Sequence, residues 1–214
     1  MGSHTLDEVS EKKDLGVRIT NNLKAARQCH LAYTKANRVL GLIARTISYK
    51  SYDVLLKLYK TLVHPHLEYC VSTWSPHYVK DKSLLERVQH RFTRMVPGLK
   101  SLPYENRLER LRLWSLEKRR NRADLLEVFK MFKGLPLVPF DHFFSLSTVT
   151  TTRGHTAKIV KQRCQLDLRR FFFSERVVDR WNRLHQDIID SSNTVSTVSK
   201  MDWSTRELYR WASS

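Results

Sequence analysis

The chain has 214 residues, enough for one domain or two small ones. Hydrophobic residues make up 41% and aromatics 10%, with only 6 Gly and 6 Pro, which excludes a wholly disordered or collagen-like chain. Lys and Arg number 38 against 21 Asp and Glu, a net charge of +17. The excess is positive in every quarter of the chain, so the body of the protein carries it, as expected of a surface facing a polyanion. No uncharged apolar run nears the ~18–20 residues of a membrane span, so no membrane partner is expected. The N-terminus, MGSHTLDEVSEKKD, is acidic where a signal peptide is basic and then apolar. Cys29, Cys70 and Cys164 are odd in number and widely spaced, unlike a secreted disulfide framework. The expected setting is intracellular, nuclear or cytoplasmic.

In chain order, DLGVRIT at 14–20 alternates Leu15, Val17 and Ile19 with polar neighbours and predicts a half-buried strand, with Leu6 and Val9 on a partner strand. Residues 24–46 predict a long amphipathic helix. Ala32, Ala36, Val39, Leu40 and Ile43 share one arc, and Lys24, Arg27, Lys35, Arg38 and Arg45 another, roughly opposite. A second helix is expected over 52–63 behind Ser51, with Pro65 interrupting it and opening a short helix toward Trp74. Residues 83–96 predict a helix with a Ser83/Glu86 capping box, a core face of Leu85, Val88, Phe92 and Met95, and a basic face of Arg87, Arg91 and Arg94. Pro97-Gly98 ends it. Helices near 104–111 and 116–133 follow, the latter capped by Ser115 and stopped by Gly134. Residues 134–156, with Gly134, Pro136, Pro139 and Gly154, read as a hinge. Residues 156–173 read as extended. A last helix from Ser174 to Leu184 carries Val177, Val178, Trp181 and Leu184 on one face and Arg176, Arg180 and Arg183 on another.

Catalytic signatures are absent: no P-loop, dinucleotide fingerprint, HExxH or GxSxG motif occurs. No paired carboxylates suggest a two-metal centre. His64, His66, Cys70 and His77 cluster in sequence but lack the short paired spacing of zinc sites, so no metal and no other cofactor is expected. The positive signal is the recurrence of basic helix faces, joined by Lys118, Arg119, Arg120 and Arg122. Arg predominates over Lys on them, which suits bidentate phosphate contact. Tyr49, Tyr78 and Trp114 are candidate stacking platforms.

Six segments in order, KDLGVRITNNL (13–23), AYTKANRVLGLIAR (32–45), LYKTLVHPHLEYCVSTWSP (58–76), LLERVQHRFTRMVPGL (84–99), RLERLRLWSLEKRRNRADL (107–125) and FFFSERVVDRWNRL (171–184), resemble the C-terminal part of non-LTR, LINE-type retrotransposon reverse transcriptases, jockey-like and chicken-repeat-like elements in particular. The resemblance implies a mainly α fold: a palm-exit β element over 1–23, a helical thumb-like domain over 24–133, a hinge over 134–156, a small α+β C-terminal segment over 157–190 and a divergent Ser/Thr-rich tail over 191–214. The thumb of that family grips the primer–template duplex by its backbone. The family's Phe/Tyr-x-Asp-Asp palm motif lies upstream of the matching text, so no polymerase chemistry and no small-molecule substrate are expected. Departures from the family include Ala25-Ala26 where a Trp is usual, His64 where Arg often precedes the corner Pro, and His185 after Leu184 where Pro is usual.

The function expected is that of a non-catalytic reverse-transcriptase remnant holding RNA or an RNA/DNA duplex without reading sequence. Lys35, Arg38, Arg87, Arg91, Arg94, Arg119 and Arg120 are the backbone clamps. Two alternatives stand beside it: a decayed open reading frame without a selected role, and a protein-interaction adaptor using an exposed apolar thumb face. The sequence does not fix the oligomeric state.

Overall fold

In the computed structural model, residues 9–148 and 154–191 are described. The fold is mainly helical, with a short two-stranded antiparallel sheet at the N-terminal end. The predicted partner residue Leu6 and the Ser/Thr-rich tail beyond Ser191 lie outside the described residues. The chain divides into two compact units, Met1–Glu117 and Lys118–Ser214.

The first unit begins with β1 (Glu11–Asp14) and β2 (Val17–Thr20), paired from Glu11↔Thr20 to Asp14↔Val17. Leu15 (φ 41°) and Gly16 (φ 86°) form the two-residue turn between them, the left-handed pair that matches strand twist in a tight hairpin. Only Val17 of the predicted alternation is buried; Leu15 is 81% exposed because it occupies the turn. Tyr69 donates its hydroxyl to the Leu15 carbonyl at 2.9 Å, and the Arg18 amide donates to Gln28 Oε1 at 2.9 Å, so the turn end of the hairpin is tied to the helical body.

Helix α1 (Ala26–Thr46) buries Cys29, Ala32, Ala36, Leu40 and Ile43, the 3–4 spacing of one helical stripe. Next come α2 (Tyr52–Leu58), capped by Ser51, whose side chain accepts from the Val54 amide, a π-helical turn (Tyr59–Val63), and α3 (His64–Glu68). Pro65 has no amide to give Thr61. The π-turn lets the chain absorb that loss, with the His64 amide reaching five residues back to Tyr59. After α4 (Val71–Trp74), α5 (Val79–Met95) packs along α1. It starts four residues before the predicted capping box, so Ser83 lies inside the helix. Glu86 serves elsewhere: its carboxylate accepts from the Leu116 amide at 3.0 Å, at the first residue of a later helix, and from the Tyr104 hydroxyl. A carboxylate at that position also complements the helix dipole. The α6 helix (Tyr104–Leu111) ends in left-handed Arg112.

Gln89, which the apolar pattern of α5 skips, is fully buried at the centre of this unit. It accepts from the Tyr59 hydroxyl at 3.0 Å and donates to the Trp114 carbonyl at 2.9 Å and to Tyr104 at 3.1 Å. Tyr59 and Phe92 stack 3.9 Å apart beside it. A polar hub thus sits inside an aromatic core with its hydrogen bonds made.

Helix α7 (Leu116–Phe132) opens in the first unit and lies mostly in the second. Gly134 (φ 68°) follows it. The division therefore falls inside α7 and not at the Pro/Gly stretch predicted as a hinge. The reason is a shared core: Leu125, Val128 and Phe129 of α7 pack with Phe144 from within that stretch and with Phe173, Val177 and Trp181 from beyond it. The predicted helix over 174–184 is broken into α9 (Phe173–Arg176) and α10 (Val178–Trp181), flanked by α8 (Asp167–Arg170), inside the stretch predicted as extended, and α11 (Gln186–Ile189). The predicted extended stretch makes a single bridge, Leu146↔Ile159. On its other side the Asn182 amide accepts from the Ile159 N–H and donates to the Ile159 carbonyl, both at 2.9 Å. One side chain thereby supplies the hydrogen bonds a neighbouring strand would give. Trp181 is fully buried and donates its indole N–H to the Ala157 carbonyl at 2.7 Å.

Candidate nucleic-acid interface

Helix α5 presents Arg87, Arg91 and Arg94 within an arc of about 60°, from the ~100° per residue of an α-helix. All three are exposed, as are Lys35 and Arg38 on α1. Among the described residues, no carboxylate lies in ion-pair reach of any of these five. Arg91 joins the two helices: its Nη1 donates to Asn37 Oδ1 at 3.2 Å, and its Nη2 lies 3.8 Å from the position a Cβ would take on Gly41.

Arg38 follows Asn37 on α1 and lies opposite the buried stripe. Lys35 is about 160° around the helix from Asn37, at ~100° per residue. Counted from Gly41, which faces Arg91, Arg38 stands about 60° around α1 and Lys35 about 120°, at ~100° per residue. Arg27, predicted on the same basic face, is bound to Glu11 at 3.1 Å.

On the other side of α5, Arg107 of α6 was missed by sequence reasoning. It is 3% exposed, donates to Thr93 Oγ1 at 2.9 Å and to the His90 carbonyl at 3.3 Å, and lies against the Tyr104 ring. No carboxylate among the described residues pairs with it. Burial, and next the charge of Arg94, lower its pKa. His90 is also lowered, by burial first and then by Arg107 and Arg94, with Glu105 opposing. The α5–α6 side of the first unit therefore holds a cluster of like charges, which an approaching anion would stabilise.

The remaining predicted clamps behave differently. Arg119 is half-buried. Arg120 is corrected: at 3% exposure it sits inside the second unit, where its charge acts on the Asp124 carboxylate, and it offers no surface to a phosphate. The predicted Arg176/Arg180/Arg183 face also dissolves. Arg176 turns inward and binds Asp124 through two hydrogen bonds, of 2.8 and 2.9 Å. A lone Asp in a basic stretch gave no sign of this in the sequence.

Of the candidate stacking residues, Tyr49 is 76% exposed. Tyr78 is packed against His77 and Lys80, and Trp114 is half-buried with its carbonyl held by Gln89. His64 is buried against Tyr59, while His66 and Cys70 are exposed. Among the described residues no group of three His, Cys, Asp or Glu converges as a metal site would require. No described helix is long and apolar enough to cross a membrane. No protein family, curated protein or solved structure matches the chain.

Proposed function

We infer that the first unit is a nucleic-acid backbone clamp, the thumb-like piece of a non-LTR reverse transcriptase, which holds RNA or an RNA/DNA duplex without catalysis and without reading sequence. Its place of action is inside the cell, in nucleus or cytoplasm. The observation that carries this reading is the outward row Arg87, Arg91 and Arg94, unpaired by any described carboxylate and linked through Arg91 to α1 beside Arg38. Exposed guanidinium groups without acid partners are ready for phosphate oxygens. Phosphate contacts of this kind position a duplex and carry no sequence information.

Four phosphates neutralised by Arg38, Arg87, Arg91 and Arg94 imply a log–log salt slope of about −3.6 on duplex DNA, at ~0.9 per phosphate. Fluorescence anisotropy of labelled DNA and RNA/DNA duplexes at several salt concentrations measures it. The triple variant Arg87→Gln/Arg91→Gln/Arg94→Gln should flatten the slope by about 2.7, equally for unrelated sequences. A flat salt response of the unaltered protein rejects the clamp. Binding that survives high salt points instead to a protein partner.

A further inference from the structure

The second unit contains a groove of about 570 Å³, a volume in the usual range of small-ligand sites. Five cations line it: Lys161, Arg163, Arg170, Arg176 and Arg180. Two carboxylates line it as well, each with a cation beside it, and the Oε2 of Glu175 is buried without a hydrogen-bond partner. Asp179 holds Lys161 at 2.5 Å, and Glu175 faces Arg169 at 3.7 Å. Arg176 is committed to Asp124 behind the groove. That leaves Arg163, Arg170 and Arg180 without a carboxylate in ion-pair reach among the described residues, although the charge of Arg180 also acts on Asp124. Arg180 goes further: its Nη1 is buried and has no hydrogen-bond acceptor at all. Leaving a charged donor buried without an acceptor is unfavourable, so an acceptor arriving there is favoured. Arg170 lies over the half-buried Phe171 ring, a flat apolar surface at the edge of the same groove.

We propose that this groove is a phosphate-binding site, taking a phosphoryl group between Arg163, Arg170 and Arg180. Three guanidinium groups around one concave volume match the several oxygens of a phosphate ester. Two sources share that chemistry: a free nucleotide or pyrophosphate-like ligand, and the backbone of a single strand. The site rests on the second unit alone and stands or falls independently of the α5 clamp.

Cys164 lines the groove and supplies the readout. Cys29 is buried and Cys70 is exposed, so Cys70→Ser leaves Cys164 as the reactive thiol of the full chain. Its alkylation by iodoacetamide, an uncharged reagent, is timed with inorganic pyrophosphate, with a single-stranded oligonucleotide, and with sodium chloride at matched ionic strength. At about ten times the dissociation constant a bound anion should slow the reaction about tenfold relative to chloride. Protection by pyrophosphate alone identifies a free ligand, and protection by the oligonucleotide at far lower concentration identifies a strand. Arg163→Gln, at an exposed position, should weaken protection at least severalfold without altering the thermal transition. Arg87→Gln/Arg91→Gln should leave protection intact. Equal rates in pyrophosphate and matched chloride overturn the proposal, as does protection that is unchanged in both Arg163→Gln and Arg180→Gln.

Discussion

The two units use arginine in opposite ways. In the first, Arg87, Arg91 and Arg94 stand on a long regular helix, and their positions follow from its period; Arg91 also makes its hydrogen bond to a neutral amide, Asn37. In the second, Arg176 stands on a four-residue helix and is folded against a carboxylate that is 1% exposed. Similar basic spacing in sequence therefore yields a surface in one place and a core ion pair in the other. What separates them is whether an acid on a neighbouring element is buried within reach. Periodicity along one helix carries no information about that.

The contrast is broken most directly at Asp124. Burial pushes its carboxyl up, and the hydrogen bonds and charge of Arg176 pull it down, with burial the larger effect. Asp124→Ala leaves the Arg176 guanidinium largely buried without its partner. Loss of one member of a buried pair costs about 3–5 kcal/mol. Hydrogen exchange of residues 118–191 should show the whole second unit opening more readily. If exchange there is unchanged, the pair is not what holds α7 to α9.

In the first unit the comparable buried polar group is neutral. Gln89→Ala removes the hydrogen bonds that the Tyr59 hydroxyl and the Trp114 carbonyl make to it, for a loss of about 1–3 kcal/mol by the usual cost of breaking buried hydrogen bonds. Urea unfolding read by hydrogen exchange over 26–114 measures it. Gln89→Leu should recover part of the loss through packing but not those hydrogen bonds.

Much of this was legible in the sequence and some was not, for identifiable reasons. Helices α1 and α5 were visible because Ala32, Ala36, Leu40 and Ile43, and Leu85, Val88 and Phe92, repeat at helical spacing and bury as that spacing requires. The exposed arginines of α5 came with that pattern. Gln89 and Arg107 were not legible, since a buried polar residue reads as a surface one until its partners are known. The second unit was the less readable. Beyond α7 its α-helices are four residues long, too short for a period to show, and the Asn182 amide replaces a strand that the extended residues 156–160 had suggested.

A pH test sharpens the comparison further. His155 in the second unit is 2% exposed, with Nε2 2.9 Å from the Trp181 carbonyl and Nδ1 buried without a partner. Burial lowers its pKa from the ordinary 6.5, with Lys158 adding to the shift and the Trp181 hydrogen bond opposing it. The unfolded chain therefore binds a proton near pH 6.5 before the folded one does. The stability His155 contributes is present above that value and declines as pH falls through the interval below it. Asp124 has its pKa raised, so its own contribution moves the other way, but only near the much lower carboxylate range. Between about pH 7.5 and 5.5 the second unit should lose thermal stability by about a few degrees. His155→Gln should have a shallower dependence over the same range. His90 in the first unit shifts in the same direction but is half-exposed, so acid should weaken that unit less.

The smallest expected effect is the most discriminating. Arg87→Gln, Arg91→Gln and Arg94→Gln, singly, should each change unfolding free energy by no more than about 0.5 kcal/mol, the usual span for exposed positions. Arg91→Gln sets the upper end because it gives up the Asn37 contact. Arg94→Gln should be neutral or slightly stabilising, since Arg94 lowers the pKa of the buried Arg107 and its removal relieves that repulsion. Each of the three should nonetheless weaken duplex binding at low salt. A residue whose loss costs affinity and leaves stability unchanged is placed for a ligand, whereas Asp124 and Gln89 are placed for the fold. Should Arg94→Gln destabilise the first unit by several kcal/mol, the row on α5 would be a structural feature and the division between outward and inward arginines would fail.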